Sequence, residues 1–187
     1  MMNKRYMNSQ RYIIVSFTAI RNHFYTSDLP EQDVLDRGRR IHGMIEEELQ
    51  SSEAGIVREV NLIAPYGEAT DGRKVILSGH IDAINIDRGI IYEIKSISYF
   101  VQYPEMVHLQ LAFYAELYER YQALNQFIPP LHYLTLLLYT YTLQGMKIAE
   151  LRYERRVITR DEVFSMRDRL RMHIDAYVSY QLHRSGR

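Results

Sequence analysis

Apolar and polar positions along this chain fall into blocks of two kinds, one with a helical period and one with a strand period. From Glu31 to Leu49, Val34, Leu35, Ile41, Ile45 and Leu49 recur at three- and four-residue spacings, which predicts an amphipathic helix. Ser51, Ser52 and Gly55 stop it. A β-rich stretch follows. Ile56 to Ala64 reads as a strand, Pro65 to Gly72 as a polar turn region, and Lys74 to Ile86 as a longer strand. Gly89 to Ser96 is its partner across an Asp87-Arg88-Gly89 turn. Pro104 then opens a helix through about Leu124, with Val107, Leu111, Tyr114, Leu117, Tyr118, Tyr121 and Leu124 among its apolar positions. After Pro129-Pro130, Leu131 to Leu143 reads as a buried strand, and Met146 to Tyr153 returns after a Gln144-Gly145 turn. Thr159-Arg160-Asp161-Glu162 fits a capping box for a last helix striped by Val163, Met166, Leu170, Ile174 and Tyr177.

A helix, three strands, a long helix, two strands and a closing helix point to an α/β protein. Its central mixed β-sheet is flanked by helices, and the long helix is the crossover between strand sets. No repeat, low-complexity tract or Pro/Gly/Ser-rich linker divides the chain, so residues 1–187 are expected to form a single domain. No apolar run approaches the roughly 20 residues of a membrane span. The N-terminus has Lys4, Arg5 and Arg11 but no apolar block of a secretory signal, so a cytoplasmic protein without membrane association is expected.

Charge excludes little. The chain has 23 Lys and Arg against 23 Asp and Glu, yet residues 1–27 hold Lys4, Arg5, Arg11 and Arg21 and no acid. Arg160, Arg167, Arg169, Arg171, Arg184 and Arg187 gather near the C-terminus, interleaved with Asp161, Glu162, Asp168 and Asp175. Phosphate contacts or a solvated helix face would each give this mixture. The absence of cysteine says more. It removes disulfides, thiolate zinc sites, iron–sulfur clusters and cysteine nucleophiles, and leaves His, Asp, Glu and carbonyl oxygens as metal ligands. Such ligands favour hard ions such as Mg2+ or Mn2+.

The chemistry concentrates in Ser78-Gly79-His80-Ile81-Asp82 and, after the turn, Tyr92-Glu93-Ile94-Lys95. Strand alternation puts Glu93 and Lys95 on one face, and a hairpin turning at Asp87-Arg88 sets Asp82 opposite Glu93. Two carboxylates and a lysine are unusual among Ile84, Ile86, Ile90, Ile91 and Ile94. An exposed cross-strand Lys–carboxylate pair is the plain alternative. As chemistry, the set suits phosphodiester hydrolysis. Asp82 and Glu93 would hold one or two divalent ions, with the Ile94 carbonyl as a further ligand. Lys95 would position the attacking water or neutralise charge developing on the phosphate.

At these residues the chain resembles the PD-(D/E)XK nuclease superfamily and, within it, the RecB-like branch. Gly79-His80-Ile81-Asp82 followed by Glu93-Ile94-Lys95 matches its Gly-X-X-Asp and Glu-X-Lys elements. Arg37-Gly38-Arg39-Arg40-Ile41-His42 fits the branch's upstream helical histidine, and Gln110-Leu111-Ala112-Phe113-Tyr114 its downstream Gln-X-X-X-Tyr. The motif-bearing core spans about residues 35–155. The resemblance implies a PD-(D/E)XK nuclease fold, with His42, Asp82, Glu93 and the Ile94 carbonyl as metal ligands. It makes Asp82, Glu93 and Lys95 the catalytic set and has Gln110 and Tyr114 contact DNA. Many RecB-like exonucleases, including CRISPR-associated ones, hold an iron–sulfur cluster on one N-terminal and three later cysteines. This chain has none, even around Ile20 to Tyr25 or in the last helix, so substrate polarity is not carried over from them.

His80, two residues from Asp82, is expected on the same side, as an extra ligand or as a supporting or surface group. Tyr99, Phe100 and Tyr103 offer base stacking or plain packing. The expectation is a Mg2+- or Mn2+-dependent DNA nuclease, an exonuclease or a single-strand or branched-DNA nuclease. Its setting would be repair, recombination, replication or CRISPR-type defence, with DNA as partner. Two alternatives stand beside it. One is a non-catalytic DNA-binding or assembly subunit on the same fold. The other is a small-molecule metal hydrolase using His42, His80 and Asp82.

Overall fold

The computed structural model describes residues 11–25, 32–97, 105–144 and 147–185. Lys4, Arg5, Tyr99, Phe100, Tyr103, Pro104, Gly145 and Arg187, to which the sequence gives expected roles, lie outside them. In chain order the elements are β1 (Tyr12–Val15), α1 (Phe17–Phe24), α2 (Gln32–Ser52), β2 (Ile56–Glu68) and β3 (Lys74–Asn85). β4 (Ile90–Ile97), α3 (Glu105–Leu124), β5 (Tyr133–Gln144), β6 (Lys147–Ile158) and α4 (Arg160–Ser185) complete them.

The strands form one six-stranded mixed sheet in the order β1-β3-β4-β5-β6, with β2 paired to β3. β1 with β3 and β4 with β5 run parallel, and the other pairs are antiparallel. Because β4 and β5 are parallel, the chain between them must cross over, and α3 is that crossover. The sheet carries helices on both faces. On one, Ile41 and Ile45 of α2 pack with Ile56, Ala83, Ile90, Tyr92, Ile94 and Leu137. On the other, α1, α3 and α4 cover a larger core that includes Phe17, Ile20, Leu111, Phe113, Leu117, Leu170 and Ile174 over Leu77, Ile81 and Ile91. Full burial of such side chains contributes about 1.5–3 kcal/mol each, so this two-sided core holds the sheet.

Local chemistry sets the element ends where it is strong. The capping box at α4 is reciprocal: Glu162 Oε2 accepts from Thr159 N at 2.8 Å while Thr159 Oγ1 accepts from Glu162 N at 3.3 Å. In the β3–β4 turn, Asn85 Oδ1 accepts from the backbone N–H of Asp87 and Arg88, and Asn85 Nδ2 donates to Ala54 O. Gly89 closes the turn at φ 62°.

Several boundaries differ from the sequence expectation, and α2 runs on through Ser51 and Ser52, which were expected to stop it. β2 continues through Pro65 to Glu68 by a register shift between Pro65 and Gly67, where a polar turn was expected. β6 runs to Ile158 rather than Tyr153. β1 and α1 are additional elements. β1 is only four residues long, and its strand state comes from parallel pairing with Lys74–Leu77 of β3, far along the chain.

Gly89 yields a stability prediction. A β-carbon there would lie 2.1 Å from the backbone oxygen of Pro130, on a residue already in the left-handed region. Gly89→Ala is expected to cost about 2–4 kcal/mol, from the left-handed penalty plus the clash. Urea unfolding followed by circular dichroism checks it; a loss under 1 kcal/mol would mean the turn relaxes freely.

Candidate active site

The ladder around β3 explains where a cleft opens. β2 runs along one edge of β3 for nearly its whole length. The other edge is shared: β1 pairs with Lys74–Leu77 and β4 with Ala83–Asn85. Between them, Ser78 to Asp82 has no strand partner on that edge among the described residues. The gap is a cleft of about 340 Å3, walled by Ser78, Gly79, His80 and Asp82 of β3 and by Glu93 and Lys95 of β4. Ser16, Phe17 and Thr18 at the start of α1, Asn61 of β2, and Gln110 and Tyr114 of α3 complete the lining.

Asp82 sits where the β-ladder breaks on both sides. The β3–β4 pairs keep the expected hairpin register but end at Ala83↔Tyr92, one step short of Asp82 and Glu93. There the Asp82 side chain substitutes for a strand: its Oδ2 accepts from Ile94 N at 2.7 Å. On the β2 side the pairing skips Glu59 opposite Asp82, and Glu59 has φ 49°, a strained conformation for a residue with a β-carbon. Inward-facing alternation shifts here too. Val75, Leu77 and Ile81 belong to the larger core, whereas Ala83 packs with α2 and Ile84 returns to the larger core.

Gly79 brings α3 down onto this strand. A β-carbon at Gly79 would come within 2.7 Å of Leu117 and 3.3 Å of Tyr114, so only glycine lets α3 approach so closely. That contact sets Gln110 and Tyr114, one helical turn apart, over the cleft. Gln110 Nε2 donates to Glu93 Oε1 at 2.8 Å and to Tyr114 Oη at 2.9 Å.

Glu93 is 1% exposed, and Lys95 Nζ donates to its Oε1. Its other oxygen, Oε2, is buried without a hydrogen-bond partner. Burial pushes the Glu93 carboxyl up to about 7; Lys95 opposes that rise and Asp82 adds to it. Burial likewise holds the Tyr114 hydroxyl well above the usual range, with Glu93 reinforcing it, so it stays a phenol.

From α2, His42 Nδ1 lies 3.9 Å from Asp82 Oδ2. Burial holds the His42 imidazole below its ordinary value and Lys95 pushes the same way, while Asp82 opposes both. At neutral pH the ring is therefore uncharged, the form that coordinates a metal. His42, Asp82 and Glu46 bring one ligand atom each within 4.8 Å of one another. Glu46 was not singled out in the sequence. Its signal was the four-residue step from His42, which puts both on one face of α2.

The predicted catalytic, metal-binding and substrate-binding residues all lie among the described residues. Asp82, Glu93, Lys95, Gln110 and Tyr114 meet at the cleft, and His42 reaches Asp82 from α2. The Ile94 side chain is buried against α2 and its main chain passes Asp82. His80 lines the cleft but is exposed and bonds Asn61 Oδ1 at 3.2 Å, apart from the His42–Glu46–Asp82 group. Of the C-terminal arginines, Arg167 is engaged with Glu119 and Glu116. Ser16 and Thr18 join the lining unforeseen; Ser16 is the N-cap of α1, accepting from Ala19 N at 3.1 Å.

No family model matches the chain, and no curated protein matches it. Among solved structures it is similar to the crystal structure of SSO0001, at 16% identity and a TM-score of 0.51 over 86% of this chain and 74% of that one. An alkaline exonuclease from Laribacter hongkongensis, LHK-Exo, aligns over 92% of this chain and 93% of its own at 11% identity, with a TM-score of 0.41. Its complex with dAMP aligns over the same shares at 12% identity, with a TM-score of 0.45. The first likeness is one of fold; the other two are too distant in space to bear on function. No helix among the described residues is long and apolar enough to cross a membrane.

Proposed function

We propose that this chain is a metal-dependent deoxyribonuclease of the PD-(D/E)XK superfamily, RecB-like branch, hydrolysing phosphodiester bonds at the cleft beside β3. The observation that carries this reading is the environment of Glu93, a fully buried carboxylate with one oxygen unpaired, flanked by Lys95, Gln110 and the Asp82–His42 pair. An unpaired buried carboxylate oxygen costs free energy unless something cationic meets it, and Lys95 already serves the other oxygen. The donors are all nitrogen and oxygen, which fits Mg2+ or Mn2+ and leaves no thiolate for a cysteine-held iron–sulfur cluster.

In this reading Asp82, Glu93, the Ile94 carbonyl and His42 hold the divalent ion, which would supply charge at the phosphate and acidity to a coordinated water. Asp82, Glu93 and Lys95 form the catalytic set. Lys95 keeps the attacking water and the phosphate in register and offsets charge that develops in the transition state. Gln110 orients Glu93 and, with Tyr114, contacts the DNA strand in the cleft. Residues 20–25 and α4, compared above with the cysteine-bearing segments, are joined instead by rings: His23 against Tyr177 and Tyr180, and Phe24 and Tyr25 against His173. Exonuclease action, or cleavage of single-stranded or branched DNA in repair, recombination, replication or CRISPR-type defence, is the activity proposed for this cleft.

The test is degradation of end-labelled single- and double-stranded DNA, linear and circular, with Mn2+, Mg2+ or EDTA. Metal-dependent loss of linear substrate is expected, with circles spared if the enzyme works from ends. A folded protein that binds DNA but cuts none under any condition would overturn catalysis and favour a DNA-binding or assembly subunit. A further expectation concerns Lys95→Ala. It should slow single-turnover cleavage by about 10²- to 10³-fold, the scale for removing one preorganised charge partner. It should also move the pH optimum upward, because Glu93 loses the cation that favours its ionised form. Unchanged rate would remove Lys95 from the chemistry.

A further inference from the structure

Glu46 is a buried acid on a helix whose next two residues, Glu47 and Glu48, are both exposed. It is 7% exposed and makes no hydrogen bond or ion pair with any described residue. Its carboxylate, the His42 imidazole and the Asp82 carboxylate each bring one ligand atom within 4.8 Å of the other two. Two ligands of one ion at about 2.1–2.5 Å stand about 3–5 Å apart, from right-angle to opposite placement, so the three groups lie within reach of a shared cation. Glu46 also lines an open groove with Gln50, Ile56, Val57, Arg58 and Glu59, none of which lines the cleft.

From this geometry we propose that His42, Glu46 and Asp82 form a cation subsite beside the Glu93 position, with Glu46 as its third ligand and with His42 serving one ion at a time. Asp82 is then shared with the Glu93 side of the cleft. The ligand chemistry narrows the ion. One neutral imidazole nitrogen and two carboxylates suit Mn2+ or a later transition ion, whereas Mg2+ prefers an all-oxygen shell and keeps most of its waters. The positions of the donors agree. His42 and Glu46 lie one turn apart on α2, and Asp82 stands at the break in the β3 ladder opposite the strained Glu59.

The inference deepens the nuclease reading by placing a second, Mn2+-selective position at the same aspartate, and its test does not use cleavage. Mn2+ binding to the full-length protein without DNA is measured by the loss of the free-Mn2+ electron paramagnetic resonance signal. Wild type, Glu46→Gln and the neighbouring surface variant Glu47→Gln are compared, each checked by thermal melting in EDTA. Glu46→Gln is expected to weaken Mn2+ binding at least about tenfold, in the range that altered metal ligation commonly produces, and to lose the Mn2+-induced rise in Tm. Its Tm in EDTA should equal or exceed that of wild type, and Glu47→Gln should behave as wild type. A calorimetric Mg2+ titration is expected to shift less than threefold in Glu46→Gln. Wild-type Mn2+ affinity in Glu46→Gln, or no Mn2+ binding by wild type, would overturn the subsite. Mn2+ binding by wild type that Glu46→Gln loses, in a protein that cuts no DNA, would instead sink the nuclease reading and leave the subsite standing.

Discussion

Asp82→Asn is expected to abolish metal-dependent DNA cleavage, slowing single turnover by at least about a thousandfold, or about 4 kcal/mol of barrier. Asp82 does three things at once. It accepts from Ile94 N where β3 and β4 part, it faces His42 from α2, and it lines the cleft beside Glu93. Asparagine keeps an oxygen for the Ile94 N–H, so the strand junction survives, but it removes the negative charge that a cation requires. Circular dichroism should therefore match wild type while cleavage and metal binding fall together. Retention of more than a tenth of wild-type rate by a folded Asp82→Asn protein would place the metal elsewhere.

Glu93→Gln is expected to act in opposite directions on activity and stability. Cleavage should fall at least about a hundredfold, since the unpaired carboxylate oxygen in the cleft becomes an uncharged amide. In EDTA, by contrast, the variant should be more stable than wild type at pH 8 and nearly equal to it at pH 5. The carboxyl sits at about 7 in the fold and at about 4.5 in its ordinary state, so the fold favours the protonated form. Its contribution is fully present below the ordinary value and is lost as pH rises through about 7. The difference at pH 8 is at most about 3 kcal/mol, with the opposing effect of Lys95 already included. Urea denaturation at the two pH values measures it. Adding Mn2+ should shrink the variant's advantage at pH 8, because the ion compensates the wild-type charge. A difference independent of pH would mean that Glu93 stays ionised throughout and the cleft carries no stored electrostatic cost.

Both predictions concern residues legible in the sequence, and the reason is local. The hairpin joining Asp82 to Glu93 is set by Asn85, Asp87 and Gly89, whose turn chemistry acts over a few residues, and the expected register appears in the Ala83↔Tyr92 pair. α3 and α4 were legible for the same kind of reason, through helical period and the Thr159–Glu162 capping box. β1 was not. Tyr12–Val15 is four residues long and owes its state to Lys74–Leu77, so no local pattern marks it, and with it the Ser16–Thr18 wall of the cleft was missed.

Strand alternation grouped His80 with Asp82, and both line the cleft, but the Asp82 side chain turns to Ile94 N and His42 while His80 bonds Asn61. Glu46 shows a different limit. Consecutive side chains in the run Glu46-Glu47-Glu48 point about 100° apart on α2, and packing of Ile41 and Ile45 against the sheet buries the first. Cations behave similarly. Arg167 looked available for phosphate and is instead tied to Glu119 and Glu116 across the α3–α4 contact.

The most direct test of the central claim is one time course of end-labelled linear DNA in Mn2+, with wild type, Asp82→Asn and Lys95→Ala purified alike and shown to share one circular dichroism spectrum. Metal-dependent cutting by wild type, abolished in Asp82→Asn and slowed by about 10²- to 10³-fold in Lys95→Ala, is the predicted result. Equal cutting by all three would trace the activity to another site or a contaminant, and equal inertness across single- and double-stranded substrates would contradict catalysis at this cleft.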